Sequence, residues 1–277
     1  ILRWILVTPR QESGVSTVRG SHGMARGRWH APFMMARKEL RFYLRDPRQR
    51  LVWTGTVIFV GLAVAALVVG SEGIGRFRTK EWLPVLAPAL VLLVGLPVAL
   101  NQFGWERNAA SYLFALPAKP RSLIMGKNIA ALIGLLFETT FIGMLFAWWS
   151  GGWRWAGLVV PLSLGTIGCL LAVGNIVSIL APLRLPREGT DMFAQATEQG
   201  LLALLSQLIS FFLIGLLLAL PASVTVLTVA FGEVIAPWFT ALFSIGWGLL
   251  WYGLSIWVAG WLLKRRIPEV VGWVQVT

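Results

Sequence analysis

Apolar residues fall in six long runs, Leu51 to Gly70, Trp82 to Leu100, Ile129 to Trp149, Ala156 to Ala181, Leu201 to Leu220 and Trp238 to Leu263, with charged residues concentrated in the gaps between them. A bilayer core about 30 Å thick takes about 20 helical residues to cross, so each run is long enough to span. The runs are twice as long as a barrel strand, and a backbone in lipid must satisfy its own hydrogen bonds. The pattern therefore predicts an all-α polytopic membrane protein of six transmembrane helices, with domain limits 1–31, 32–47, 48–266 and 267–277.

The gaps alternate in charge. Arg37, Lys38, Arg41, Arg45, Arg48 and Arg50 precede the first run, Arg107, Lys119, Arg121 and Lys127 separate the second from the third, Arg184 and Arg187 follow the fourth, and Lys264, Arg265 and Arg266 follow the sixth. The other side would hold Arg76, Arg78, Lys80 and Arg154. Basic residues favour the inside, which predicts both termini in the cytoplasm and a multi-pass protein of the plasma (inner) membrane. Trp53, Trp82, Trp148, Trp149, Trp153, Trp155, Trp238 and Trp261 lie at or near run ends, as interfacial indoles do.

Composition narrows the classes. A hydrophobic content of 57%, a charged content of 13% and a mean hydropathy of +0.73 exclude an ordinary soluble domain. The net charge of +12 sits beside the spans instead of forming a separate basic domain, so anionic membrane lipid, and no nucleic acid, is the expected partner. The single cysteine, Cys169, excludes an intrachain disulfide and a multi-cysteine metal site. Residues 1–31 read as a basic cytoplasmic linker. With its apolar start, Ile1 to Val7, and no initiating Met, it suggests a fragment, or the second half of a longer membrane protein whose preceding span ends near Val7.

Two segments outside the spans carry more pattern than connectors need. From Phe33 to Arg45, the residues Phe33, Ala36, Leu40, Tyr43 and Leu44 share one helical arc, and Arg37, Lys38, Arg41 and Arg45 the next, which predicts an amphipathic helix at the membrane surface. Asp46 and Pro47 then stop it and start the first span. Between the second and third spans, Glu106 to Leu116 has helix-forming character, Pro117 breaks it and Pro120 can start the next helix. A short helix across the cytoplasmic mouth could dock a soluble partner.

The series Asn101, Phe103, Gly104, Glu106, Leu116, Pro117, Arg121, Gly126 and Lys127 resembles the Glu, Leu-Pro, basic, Gly-Lys pattern in the permeases of ABC-2 type transporters. Lys38 to Arg50 is similar to the interfacial connecting helix of that family, and Gly174, Asn175, Ser178 and Pro182 resemble a subset of its bacterial members. Ala109-Ala110 departs from it, standing where many relatives have a Gly-Thr pair. The resemblance implies an ATP-driven exporter whose loop between helices 2 and 3 is the coupling helix. It implies as partners a P-loop ATPase subunit, which binds ATP and Mg, and a second permease half, identical or fused. The sequence itself has no GxxxxGK[ST] phosphate loop, so no cofactor and no catalytic residue is expected in this chain.

Glu138 lies near the middle of the third span, where a charge costs about 2.5–3.5 kcal/mol, and predicts either a wet translocation route or a structural hydrogen bond. Asn175 and Ser178 offer interhelical bonds. Pro221 to Pro237, with Glu233, is too apolar for a solvated loop and suggests a re-entrant or external half-helix hairpin and gate. A non-transporting membrane scaffold or assembly protein and an intramembrane enzyme stand as alternatives to the exporter.

Overall fold

The computed structural model describes residues 30–47, 49–51, 53–55, 58, 80–115, 118–182, 192–231 and 236–274. Most of the predicted first span, the linker 1–29, Arg48, Arg76, Arg78, Leu116, Pro117, Arg184, Arg187 and Glu233 lie outside them. The described chain is helical: α1 His30–Arg45, α2 Ala87–Leu100 after a 3-10 turn Leu83–Leu86, α3 Ala110–Ala115 after a 3-10 turn Gly104–Ala109, α4 Pro120–Ser150, α5 Trp153–Leu180, α6 Met192–Ala230 and α7 Pro237–Val274. Among the described residues five helices are long and apolar enough to cross a membrane, as a multi-pass membrane protein requires.

Successive spans run up and down. Gly151, at a left-handed φ of 71°, reverses the chain between α4 and α5. Val98, Ala99, Leu135, Ile167, Leu170 and Ile214 form a central core drawn from α2, α4, α5 and α6. A second core, with Met35, Phe103, Leu113, Ile124, Ile179 and Leu263, closes the end where α2 and α5 finish and α4 begins. α5 and α7 make the most extensive contact. Their backbones touch: a Cβ on Gly248 would lie 2.7 Å from the Gly165 Cα, and one on Gly168 would lie 2.8 Å from the Gly248 carbonyl. Small residues permit this approach between helices in lipid.

Three helices outrun their charge-free windows. α4 begins at Pro120, whose fixed φ and missing N–H suit a first helical position, with Lys119 extended before it. Lys127 and Asn128, expected before the span, are therefore inside the helix, because buried partners satisfy them. α7 continues through Lys264, Arg265 and Arg266 to Val274, with the Arg265 guanidinium 3.9 Å from the centre of the exposed Trp261 ring. α6 passes straight through Pro221 to Ala230, which corrects the hairpin expected over that stretch. Pro221 lacks the N–H that would reach the Leu217 carbonyl, and the indole N–H of Trp247 on α7 donates to that oxygen instead, at 2.8 Å.

α1 lies where the amphipathic helix is expected, and its predicted apolar arc divides, with Ala36 buried, Leu40 and Tyr43 half-buried, and Phe33 and Leu44 exposed. Met35, Ala36 and Glu39 are buried against α4, while Phe33 and Leu44 are exposed alongside Arg37, Lys38, Arg41 and Arg45. Asp46 caps the following segment as expected, its Oδ1 accepting from the Gln49 N–H at 3.4 Å.

Candidate functional site

The end of the bundle closed by α1 holds four charges in one cluster. Gly126 lets α1 come close to α4, since a Cβ there would lie 2.8 Å from the Pro32 carbonyl. One residue on, the fully buried Lys127 ammonium donates to Glu39 of α1 at 3.0 Å and to Glu106 of the 3-10 turn. Lys38 donates to both Glu106 oxygens at 2.7 Å and to Glu39 at 3.1 Å. Phe103 lies below Lys127, its ring centre 5.9 Å from the ammonium. Two cations and two anions balance, which is the condition for burying such charges.

Burial opposes ionisation of Glu106, yet the charges of Lys127 and then Lys38, with their hydrogen bonds, outweigh it and hold the carboxyl down to about 2 from an ordinary 4.5. A folded pKa below the unfolded one gives a contribution that is complete above about 4.5 and lost as pH falls through about 2. The expected result is that α1 stays docked at pH 5 and loosens progressively between pH 4.5 and 2, read as hydrogen exchange of residues 30–45. The Tyr43 hydroxyl, beside the cluster, is pushed far above its ordinary range by burial first and then by the charges of Glu39 and Glu106. It stays neutral throughout.

A polar chain continues inward from the cluster. The Gln102 amide donates to Asn128 Oδ1 at 2.8 Å, the Asn128 amide to the Tyr252 hydroxyl at 3.5 Å, and the Asn175 amide to Ser255 Oγ at 3.1 Å. The Ser255 hydroxyl in turn donates to the Tyr252 carbonyl. The turn after α2, the first third of α4, the last turns of α5 and the middle of α7 are thereby linked.

The sequence-selected residues thus separate by setting. Gly104, Glu106, Gly126 and Lys127 meet in the buried block together with Lys38, while Arg37, Arg41 and Arg45 lie exposed on α1. Arg121 is exposed and its stem crosses Gly260 of α7. Tyr112 of α3 is, among the described residues, the most exposed large hydrophobic side chain, at 79%. Asn175 bonds to α7, and Glu138 lies apart, deep in α4. Glu39, Gln102, Asn128 and Tyr252 were not singled out by sequence. Glu39 had a usable signal: it stands four residues from both Met35 and Tyr43, on the buried stripe of α1.

Glu138 is buried, and among the described residues neither of its carboxylate oxygens has a hydrogen-bond partner. An ionised carboxylate in such a place is costly, whereas the neutral amide of glutamine has nearly the same shape. Glu138→Gln is expected to leave expression and melting temperature unchanged, and Glu138→Lys to abolish stable insertion. A lowered melting temperature in the glutamine variant would establish a charged role.

An apolar crevice of about 520 Å³ opens at the opposite end, between α2, α5, α6 and α7, with Trp82, Leu92, Leu162, Leu218, Pro221 and Val226 on its walls. Thr166, Thr225 and Ser244 are its hydroxyl-bearing residues. Among the described residues, no charged side chain lines it.

The chain matches no family model, no curated protein and no solved structure.

Proposed function

We propose that the chain is the membrane permease subunit of an ABC-2-type exporter, multi-pass in the plasma membrane with both termini cytoplasmic. A separate P-loop ATPase would bind ATP and Mg, and a second permease half would complete the path. Substrate would cross by alternating access and leave chemically unaltered.

The observation that carries this reading is the ion cluster. It ties α1, the Glu106 turn and the first turns of α4 into one block, so a push on the loop is passed to a membrane-spanning helix with little lost in slack. The buried side chains of Glu106 and Lys127 hold the block together, while the exposed Tyr112 and Arg121 present it to a partner. A lever needs both a rigid body and a free surface, and this end of the bundle offers each.

The test is co-purification in mild detergent with the products of neighbouring reading frames. A P-loop ATPase is expected to elute stoichiometrically. Tyr112→Ala and Arg121→Ala are each expected to weaken it by about 1–2 kcal/mol, roughly tenfold, without lowering the melting temperature. An intact protein with no ATPase bound would favour a scaffold instead.

A further inference from the structure

The passage of α6 through Pro221 depends on another helix. Proline cannot donate to the carbonyl four residues back, and a carbonyl left unpaired in hydrocarbon is costly. That carbonyl belongs to Leu217, and it accepts from Trp247 Nε1 at 2.8 Å. The donor is held in place by its neighbours on α7: Phe239, Phe243, Trp247 and Trp251 recur every fourth residue, with successive ring centres 6.1, 6.0 and 5.9 Å apart.

Around Pro221 the helix has further bending elements. The hydroxyls of Ser223, Thr225 and Thr228 donate back to the carbonyls of Ala219, Pro221 and Val224, a pattern that bends helices. The far segment is tied to α7 once more, through the buried Thr228 and Thr240 hydroxyls. This segment also forms one wall of the apolar crevice, with Ala222, Thr225, Val226 and Val229 facing Trp82, Val85 and the start of α2. A hinge, its fastener and the cavity that the moving part would reshape therefore coincide.

We propose that Trp247 is a clamp on a proline hinge in α6. With its indole N–H on the Leu217 carbonyl, α6 is held as one rod and the crevice keeps its width. When that bond breaks, the segment Ala222–Ala230 bends about Pro221 and the crevice changes width with it. The device needs no ATPase partner and holds whether or not the chain is an exporter.

The clamp makes a double-mutant prediction that simple packing does not. Trp247→Phe keeps an aromatic ring and removes the donor, whereas Pro221→Ala restores a backbone N–H that can reach Leu217 directly. With Cys169→Ala as background, spin labels at Leu227→Cys on α6 and Val160→Cys on α5 report the distance in nanodiscs. Trp247→Phe is expected to broaden the distribution and add a second population. Adding Pro221→Ala is expected to return it to the single native population. A native distribution in Trp247→Phe, or one in the double variant as broad as in the single, would overturn the clamp.

Should Trp247→Phe fail to insert, Pro221→Ala alone decides the matter. The new amide competes for Leu217, so exchange of the Trp247 indole proton, followed by NMR, is expected to quicken about tenfold. Unchanged exchange would overturn the proposal.

Discussion

Replacing Lys127 by methionine is expected to undock α1 from the rest of the bundle. The change leaves the carboxylates of Glu39 and Glu106 together in a buried site with only Lys38, whose side chain is half-exposed, to balance them. Removing one partner of a buried ion pair costs about 3–5 kcal/mol, a large share of the roughly 5–15 kcal/mol that holds a typical domain together. Hydrogen exchange should rise through residues 30–45, and the melting temperature should fall. The cost comes from the stranded charge and not from the lost contact, so adding Glu39→Met to Lys127→Met should recover most of the loss. A Lys127→Met protein with native protection over α1 would mean that the cluster does not hold this helix.

Gly248→Val is expected to be at least as damaging, through shape alone. Any Cβ at this position would press on the backbone of Gly165, 2.7 Å away, and neither helix backbone can give way as a side chain could. Overpacking in a well-packed interior costs about 1–3 kcal/mol, and backbone against backbone lies at the upper end of that range or beyond it. Because α5 and α7 share the most extensive contact, their separation should appear as aggregation on size exclusion and a lowered melting temperature. Gly253→Val supplies the control: it lies on the same helix, and a Cβ there would meet nothing within 4 Å. Equal behaviour of the two variants would contradict close α5–α7 packing.

Length and hydropathy were enough to locate the five described spans, since about 20 apolar residues in lipid leave little choice but a helix. The ends were less legible for a physical reason. A charge-free window stops at Lys127, but the helix does not, because Glu39 and Glu106 neutralise that ammonium from segments distant in sequence. The sequence pattern ends the fifth span at Leu220, before Pro221, but the helix continues to Ala230 with Trp247 supplying the donor that the proline lacks. No local rule reveals a bond supplied 26 positions further along the chain. The site divides in the same way. Glu106, Gly126 and Lys127 stood out as a spaced pattern, but that spacing could not say which of them are buried, and Glu39 needed the buried stripe of α1 to give it meaning.

The exporter reading makes Tyr112 and Arg121 the contact surface and places it at one end of α4, about 40 Å along the helix from Trp148 at the other. A photo-crosslinking amino acid at position 112, and separately at position 148, in intact membranes tests this most directly. The expected result is an adduct with a P-loop ATPase from position 112 and none from position 148. An ATPase captured from position 148, or no ATPase captured from position 112 when the protein is folded and inserted, would contradict the reading of this chain as an ATPase-driven permease.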